Sequence, residues 1–107
     1  MTYQVNIISY AEDDLFDIYA YILEHDSRQS AEYVFNEIEK VCDSLEHMPQ
    51  RGHIPPELSR INVVQFLELH FKPYRVIYEI EGKKVFVHCI LDGRRDLQEL
   101  LARRLLR

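Results

Sequence analysis

The sequence predicts an α+β domain in the order β-α-α-β-β-β-α, with helices packed on a small, largely antiparallel sheet. Three observations carry that expectation. Two consecutive segments repeat apolar residues at three- and four-residue steps, separated only by His25-Asp26-Ser27. Residues 75–91 instead alternate in the manner of paired strands around a glycine. Three of the four prolines and one of the three glycines gather in a single loop, Met48 to Pro56, so no helix crosses it. At 107 residues the chain suffices for one buried core and not for two.

Tyr3 to Ile8 alternates apolar and polar residues and reads as a first strand. Ser9 followed by Glu12 matches a capping box, and Glu12, Asp13 and Asp14 favour the positive end of a helix that runs to about Glu24. Its apolar face is Ala11, Leu15, Ile18 and Ile22, with Tyr19 beside it. The polar break offers caps for a second helix from Arg28 or Gln29 to Glu46, striped by Ala31, Val34, Phe35, Ile38, Val41, Cys42 and Leu45. Joined by a short turn, the two make an antiparallel hairpin whose stripes need a sheet to cover.

After the proline loop a weak strand is expected around Val64 to Leu69. Arg75 to Ile80 and Lys84 to Leu91 are stronger strands joined through Glu81-Gly82-Lys83. Tyr74, Val76, Tyr78 and Ile80 would share one face, and Val85, Val87, Cys89 and Leu91 another row. Phe86, His88 and Ile90 between them make the last strand apolar on both faces, which suits a central position. From Asp96 the pattern turns helical, with Leu97, Leu100, Leu101 and Leu105 on one side and Arg103, Arg104 and Arg107 near the negative end of the dipole.

Charge is unevenly placed. Residues 1–59 hold 3 Lys/Arg against 12 Asp/Glu, net −9, and residues 60–107 hold 10 against 6, net +4. The acidic half disfavours non-specific attraction to nucleic acid, which depends on Lys/Arg neutralising phosphates. The basic half suits a local acidic partner. Cys42 and Cys89 fall inside a helix and a strand, which suits small buried hydrophobes better than a disulfide or metal knuckle. No apolar run approaches a membrane span and the N-terminus lacks a signal-peptide pattern, so the expected location is the cytoplasm.

Four groups of residues, in this order and spacing, resemble the RelE/ParE superfamily of type II toxin-antitoxin toxins across nearly the whole chain. They are Ala11-Glu12-Asp13-Asp14-Leu15 with Ile18 and Tyr21-Ile22; Leu45 with Met48-Pro49 and Gly52; Tyr74-Arg75-Val76-Ile77-Tyr78; and Asp92-Gly93-Arg94-Arg95-Asp96 leading to Leu100-Leu101-Ala102-Arg103. The resemblance implies the superfamily's β-α-α-β-β-β core and an inhibitory antitoxin. It also implies one of two targets. RelE-like members cut messenger RNA on the ribosome, whereas ParE-like members, the plasmid-stabilisation type, poison DNA gyrase without a nuclease site.

RNA cleavage by attack of a 2′-hydroxyl requires a base, a cation for the phosphate and an acid for the leaving oxygen. Arg75 and Arg95 stand where RelE-like nucleases carry basic residues. Phe66 and Glu68, however, replace lysines of that pattern, and Leu101 replaces its catalytic tyrosine. A carboxylate repels the phosphate that a lysine would clamp. If the chain is a nuclease, Arg75, Arg95 and His88 are its candidate residues, although His88 in a central strand suits a hydrogen-bonded, half-buried role better. His70 suits a solvated loop, and His25, His47 and His53 show no metal-ligand spacing. Arg75 also has a structural reading, paired with a carboxylate such as Glu68.

The ParE-like reading assigns target contact to Arg94, Arg95, Arg103, Arg104 and Arg107, and antitoxin contact to Leu15, Tyr19, Ile22, Val34 and Ile38. It expects no cofactor, metal or membrane, and no direct sequence-specific nucleic-acid contact. The alternatives are a RelE-like ribosome-dependent endoribonuclease and a degenerate, non-toxic member that only binds an antitoxin.

Overall fold

The computed structural model describes residues 2–106. Its elements are β1 (Gln4–Ile7), α1 (Ser9–His25), α2 (Arg28–Ser44), a 3-10 turn (Pro49–Arg51), α3 (Pro56–Ser59), β2 (Phe66–Phe71), β3 (Tyr74–Glu81), β4 (Lys84–Asp92) and α4 (Gln98–Leu105). The order matches the expected α+β pattern with α3 added. The sheet runs β1-β4-β3-β2, antiparallel except where β1 joins β4 in parallel.

Local chemistry explains most boundaries. Ser27 caps α2, its hydroxyl accepting the Ser30 N–H at 3.0 Å. The capping box expected at the start of α1 does not form. Ile8 occupies the cap position in extended conformation and Ser9 is already helical, so Glu12 contributes only its charge to the first turn. Arg51 folds back and donates to the Ser44 and His47 carbonyls at 3.3 and 2.7 Å, covering groups left open after α2. Pro56 opens α3 at a position whose N–H needs no helical partner. β2 begins at Phe66, two residues later than the sequence suggests, and continues through Phe71.

The sheet is covered on both faces. On one, Ala11, Leu15, Ile38, Cys42 and Leu45 of the hairpin pack on Val76, Tyr78, Val85, Val87 and Ile90. On the other, Leu58, Leu97 and Leu101 pack on Phe66, Ile77, Cys89 and Leu91. β4 is therefore an interior strand buried on both sides, which is why its apolar pattern is continuous. Cys42 and Cys89 belong to opposite cores, so the sheet separates them; burial pushes both thiols up to about 12.

One expectation about β4 is corrected. Val85 and Val87 face the hairpin, but Cys89 and Leu91 face α3 and α4. Tyr78 pairs with Val87 and Ile77 with Cys89, leaving His88 as the extra residue of a β-bulge. One inserted residue reverses the alternation beyond it. β1 also ends opposite Val87, which leaves the following edge of β4 unpaired by a strand. Asp14 and Arg104 cover that edge. The Asp14 carboxylate accepts the Ile90 N–H at 3.0 Å, Arg104 donates to the His88 carbonyl at 3.0 Å, and the two side chains pair at 2.9 and 3.1 Å. Unpaired strand edges invite non-native pairing, and two side chains here supply the missing ladder bonds.

Candidate functional site

β2 and β3 place Glu68 and Arg75 side by side. Arg75 Nε donates to Glu68 Oε1 at 2.6 Å, and its two terminal nitrogens clasp both oxygens of Glu57, each at 2.7 Å. Glu57 reaches the guanidinium because Pro55-Pro56 starts α3 beside it. Gln98 then locks the arrangement to α4, donating to the Glu57 carbonyl at 2.7 Å and accepting from Arg60 at 3.0 Å. Arg75 is held firmly cationic, chiefly by the Glu57 hydrogen bonds, and the same contact lowers the Glu57 carboxyl below its ordinary range. Glu68 is only 1% exposed.

The expected Arg75–Glu68 pairing is thus present, with Glu57 as a partner that sequence reasoning missed. A proline pair followed by a carboxylate is the one local sign of α3. Gly93 passes over the Arg75 stem so closely that a Cβ there would stand 2.7 Å from its Cδ and 2.8 Å from the Pro73 carbonyl.

Two histidines surround the same carboxylate. His53 Nε2 lies 3.1 Å from Glu68 Oε2, and His70 Nε2 lies 3.2 Å from Glu68 Oε1. His70 is therefore a strand residue engaged with Glu68, not the solvated loop residue expected. His53 reaches it through an isolated bridge in which His53 and Glu68 exchange backbone hydrogen bonds of 2.8 and 3.2 Å. That bridge needs Gly52, since a Cβ there would collide with the Tyr78 hydroxyl and lie 2.8 Å from the Glu68 carbonyl. Lys72 completes the rim of a cleft of about 300 Å³ with Arg75, Glu68 and both imidazoles.

The other candidate residues separate into different environments. Arg95 is exposed and its side chain makes no hydrogen bond or ion pair among the described residues. Arg94 is also exposed, donating to both oxygens of Asp92 at 3.0 and 2.7 Å and lowering that carboxyl. Both arginines border a cleft of about 600 Å³ between α1 and the end of β4, distinct from the one that Arg75 lines. Arg103 is exposed on α4. Arg104 was expected to contact the target but is instead engaged by Asp14 and the His88 carbonyl. Arg107 lies outside the described residues.

His88 is half-buried, 3.2 Å from Glu79 Oε1 and edge-on to Phe66 with ring centres 5.4 Å apart. It does not share the Arg75 cleft. Leu101 is fully buried. Of the apolar residues assigned to antitoxin contact, Leu15 and Ile38 are closed within the core at 4% and 0% exposure, which corrects that assignment. Tyr19 leans edge-on against Phe35 and remains partly accessible. Ile22 and Val34 line a groove of about 560 Å³ with Tyr33 and Phe71, and Phe16 and Tyr33 are each 59% exposed on the hairpin.

With this geometry in place, the sequence matches the family described as the ParE toxin of the type II toxin-antitoxin system parDE over residues 5–97. The chain belongs to the ParE toxin family. The fold agrees with the solved chromosomal ParDE toxin-antitoxin system of P. aeruginosa at a TM-score of 0.68 and 18% identity, covering 83% of this chain and 94% of that one. It is also similar to the RelBE2 toxin-antitoxin complex of Mycobacterium tuberculosis, with a TM-score of 0.63, 16% identity and coverage of 84% and 96%. No curated protein matches the sequence. Among the described residues, no helix is long and apolar enough to cross a membrane.

Proposed function

We propose that this ParE-family toxin inhibits DNA gyrase by protein contact and is neutralised by a cognate antitoxin. The observation that carries the reading is the capture of Arg75 by Glu57 and Glu68. An arginine that clamps a scissile phosphate must offer its donors to the substrate, and here three nitrogens already serve carboxylates. Glu68 adds negative charge where a nuclease needs a cation. The exposed Arg94, Arg95 and Arg103 form the gyrase-facing surface. The antitoxin covers the hairpin groove at Ile22 and Val34 together with Tyr19, burying the neighbouring aromatic residues by a helix-in-groove contact.

The test is a supercoiling and DNA-cleavage assay with purified protein and gyrase. Loss of supercoiling with accumulation of gyrase-dependent breaks supports the proposal. Unchanged supercoiling and no breaks at excess toxin reject it. One observation favours the RelE-type alternative: His70 and Lys72 line the same cleft as Arg75. That alternative requires mapped messenger cuts in a translating extract.

A further inference from the structure

We propose that His53, Glu68 and His70 form a binding site for a first-row divalent cation of the zinc, cobalt and nickel type. Their ligand atoms all lie within 4.8 Å of one another. His53 Nε2 stands 3.1 Å from one Glu68 oxygen, Oε2, and His70 Nε2 stands 3.2 Å from the other, Oε1, so the carboxylate presents one oxygen to each imidazole. A tetrahedral ion with bonds of roughly 2.0–2.1 Å needs donors roughly 3.3 Å apart, so these two pairs already stand near coordination spacing. The geometry of the donors, rather than their spacing in sequence, defines the site.

The backbone sets the positions of all three ligands, and Arg75 orients the carboxylate. His53 and Glu68 are held by their reciprocal backbone hydrogen bonds. Glu68 and His70 are two residues apart in β2 and so project from one face of the strand. Arg75 Nε holds Glu68 Oε1 in the manner of the outer hydrogen bonds that orient ligating carboxylates. Arg75 does not cancel the site's charge, because Glu57 also engages it. Glu57, Glu68 and Arg75 together carry a formal charge of −1, faced across the cleft by Lys72 at its rim.

Two imidazoles and one carboxylate favour borderline transition ions over magnesium or calcium, which select oxygen ligands. Three protein donors leave a coordination position, and the cleft of about 300 Å³ bordered by Lys72 gives it an opening to solvent. Because His53 is on the loop before α3 and the other ligands are in β2, a bound ion would fasten that loop to the sheet.

Tag-free protein titrated with Co²⁺ and Zn²⁺, followed by visible absorption and calorimetry respectively, tests the site. The expected result is saturation at one equivalent, undisturbed by excess Mg²⁺. His53→Ala and His70→Ala should each weaken binding by more than the roughly 10–100-fold that loss of an outer-shell partner costs. The same loss is expected in His70→Gln, which keeps a polar side chain, while His25→Ala binds as the parent does. Circular dichroism of the metal-free variants identifies folded samples for the comparison. If the imidazoles serve only as hydrogen-bond partners of Glu68, no saturable binding occurs; that result, or affinity equal to the parent's in the folded His53 and His70 variants, overturns the proposal. The site does not depend on gyrase inhibition, so neither outcome decides the target.

Discussion

Arg75 and Arg95 look interchangeable along the chain: each lies near a strand boundary, and each matches a basic position of the RelE-like pattern. In space they differ in every respect that governs chemistry. Arg75 is enclosed by two carboxylates, one of them fully buried, and all three of its nitrogens are engaged within the fold. Arg95 projects from the loop after β4 with no side-chain hydrogen bond or ion pair among the described residues. The contrast teaches that an arginine's availability is set by carboxylates brought to it through tertiary structure. The same rule separates Arg104 from Arg103 on α4, since Asp14 reaches only the first.

Arg75 is the position whose loss should cost most. Arg75→Ala leaves Glu57 and the buried Glu68 without their cation, and a cost of about 3–5 kcal/mol is expected in urea unfolding. A loss below about 1 kcal/mol would mean the cluster is not the structural unit described here.

A smaller loss, about 2–3 kcal/mol, is expected from Asp14→Ala, which orphans the Ile90 N–H and frees Arg104 at the edge of β4. A cycle with Arg104→Ala should show coupling above about 0.5 kcal/mol, whereas additivity would contradict a shared seal.

Glu57→Gln exposes the Arg75 pairing through pH. Arg75 lowers the folded-state Glu57 carboxyl, so the unfolded chain binds that proton more readily. The resulting stabilisation is complete above the unfolded carboxylate value of roughly 4.3 and disappears as pH falls through the lowered folded value. The variant should be less stable at neutral pH and lose less stability below about pH 5. Parallel acid limbs for parent and variant would contradict the pairing. The smallest stability effect belongs to the exposed rim: Arg95→Ala should remain within about 0.5 kcal/mol of the parent.

Much of the fold was legible because its signals are local. Ser27 capped α2 as expected, the hairpin stripe of Ala31, Ile38, Cys42 and Leu45 is buried, and the two-sided apolar pattern placed β4 inside the sheet. The bulge at His88 was hidden because residues on both faces of β4 are apolar, so a reversal leaves no polar residue misplaced. Leu15 and Ile38 carry the right periodicity for a contact face, but periodicity cannot tell the stripe that meets the sheet from the margin left accessible.

The candidate site was less legible because its links span the chain. Glu57 and Arg75 are 18 residues apart, and Asp14 and Arg104 are 90 apart. His53 joins Glu68 and His70 through a single bridge after an irregular loop, without a metal-binding repeat to announce it. The substitutions at Glu68 and Leu101 were readable, yet only the fold shows one carboxylate occupied with Arg75 and the leucine filling the second core.

The most direct measurement is gyrase supercoiling titrated with the parent toxin, an Arg94→Ala/Arg95→Ala variant and Arg103→Ala, each confirmed as folded. The account predicts that the parent inhibits and that the double variant loses most inhibition without a change in stability, with Arg103→Ala weaker to a lesser degree. Undiminished supercoiling in the presence of excess parent toxin, together with messenger cuts in a translating extract that disappear in Arg95→Ala, would contradict it.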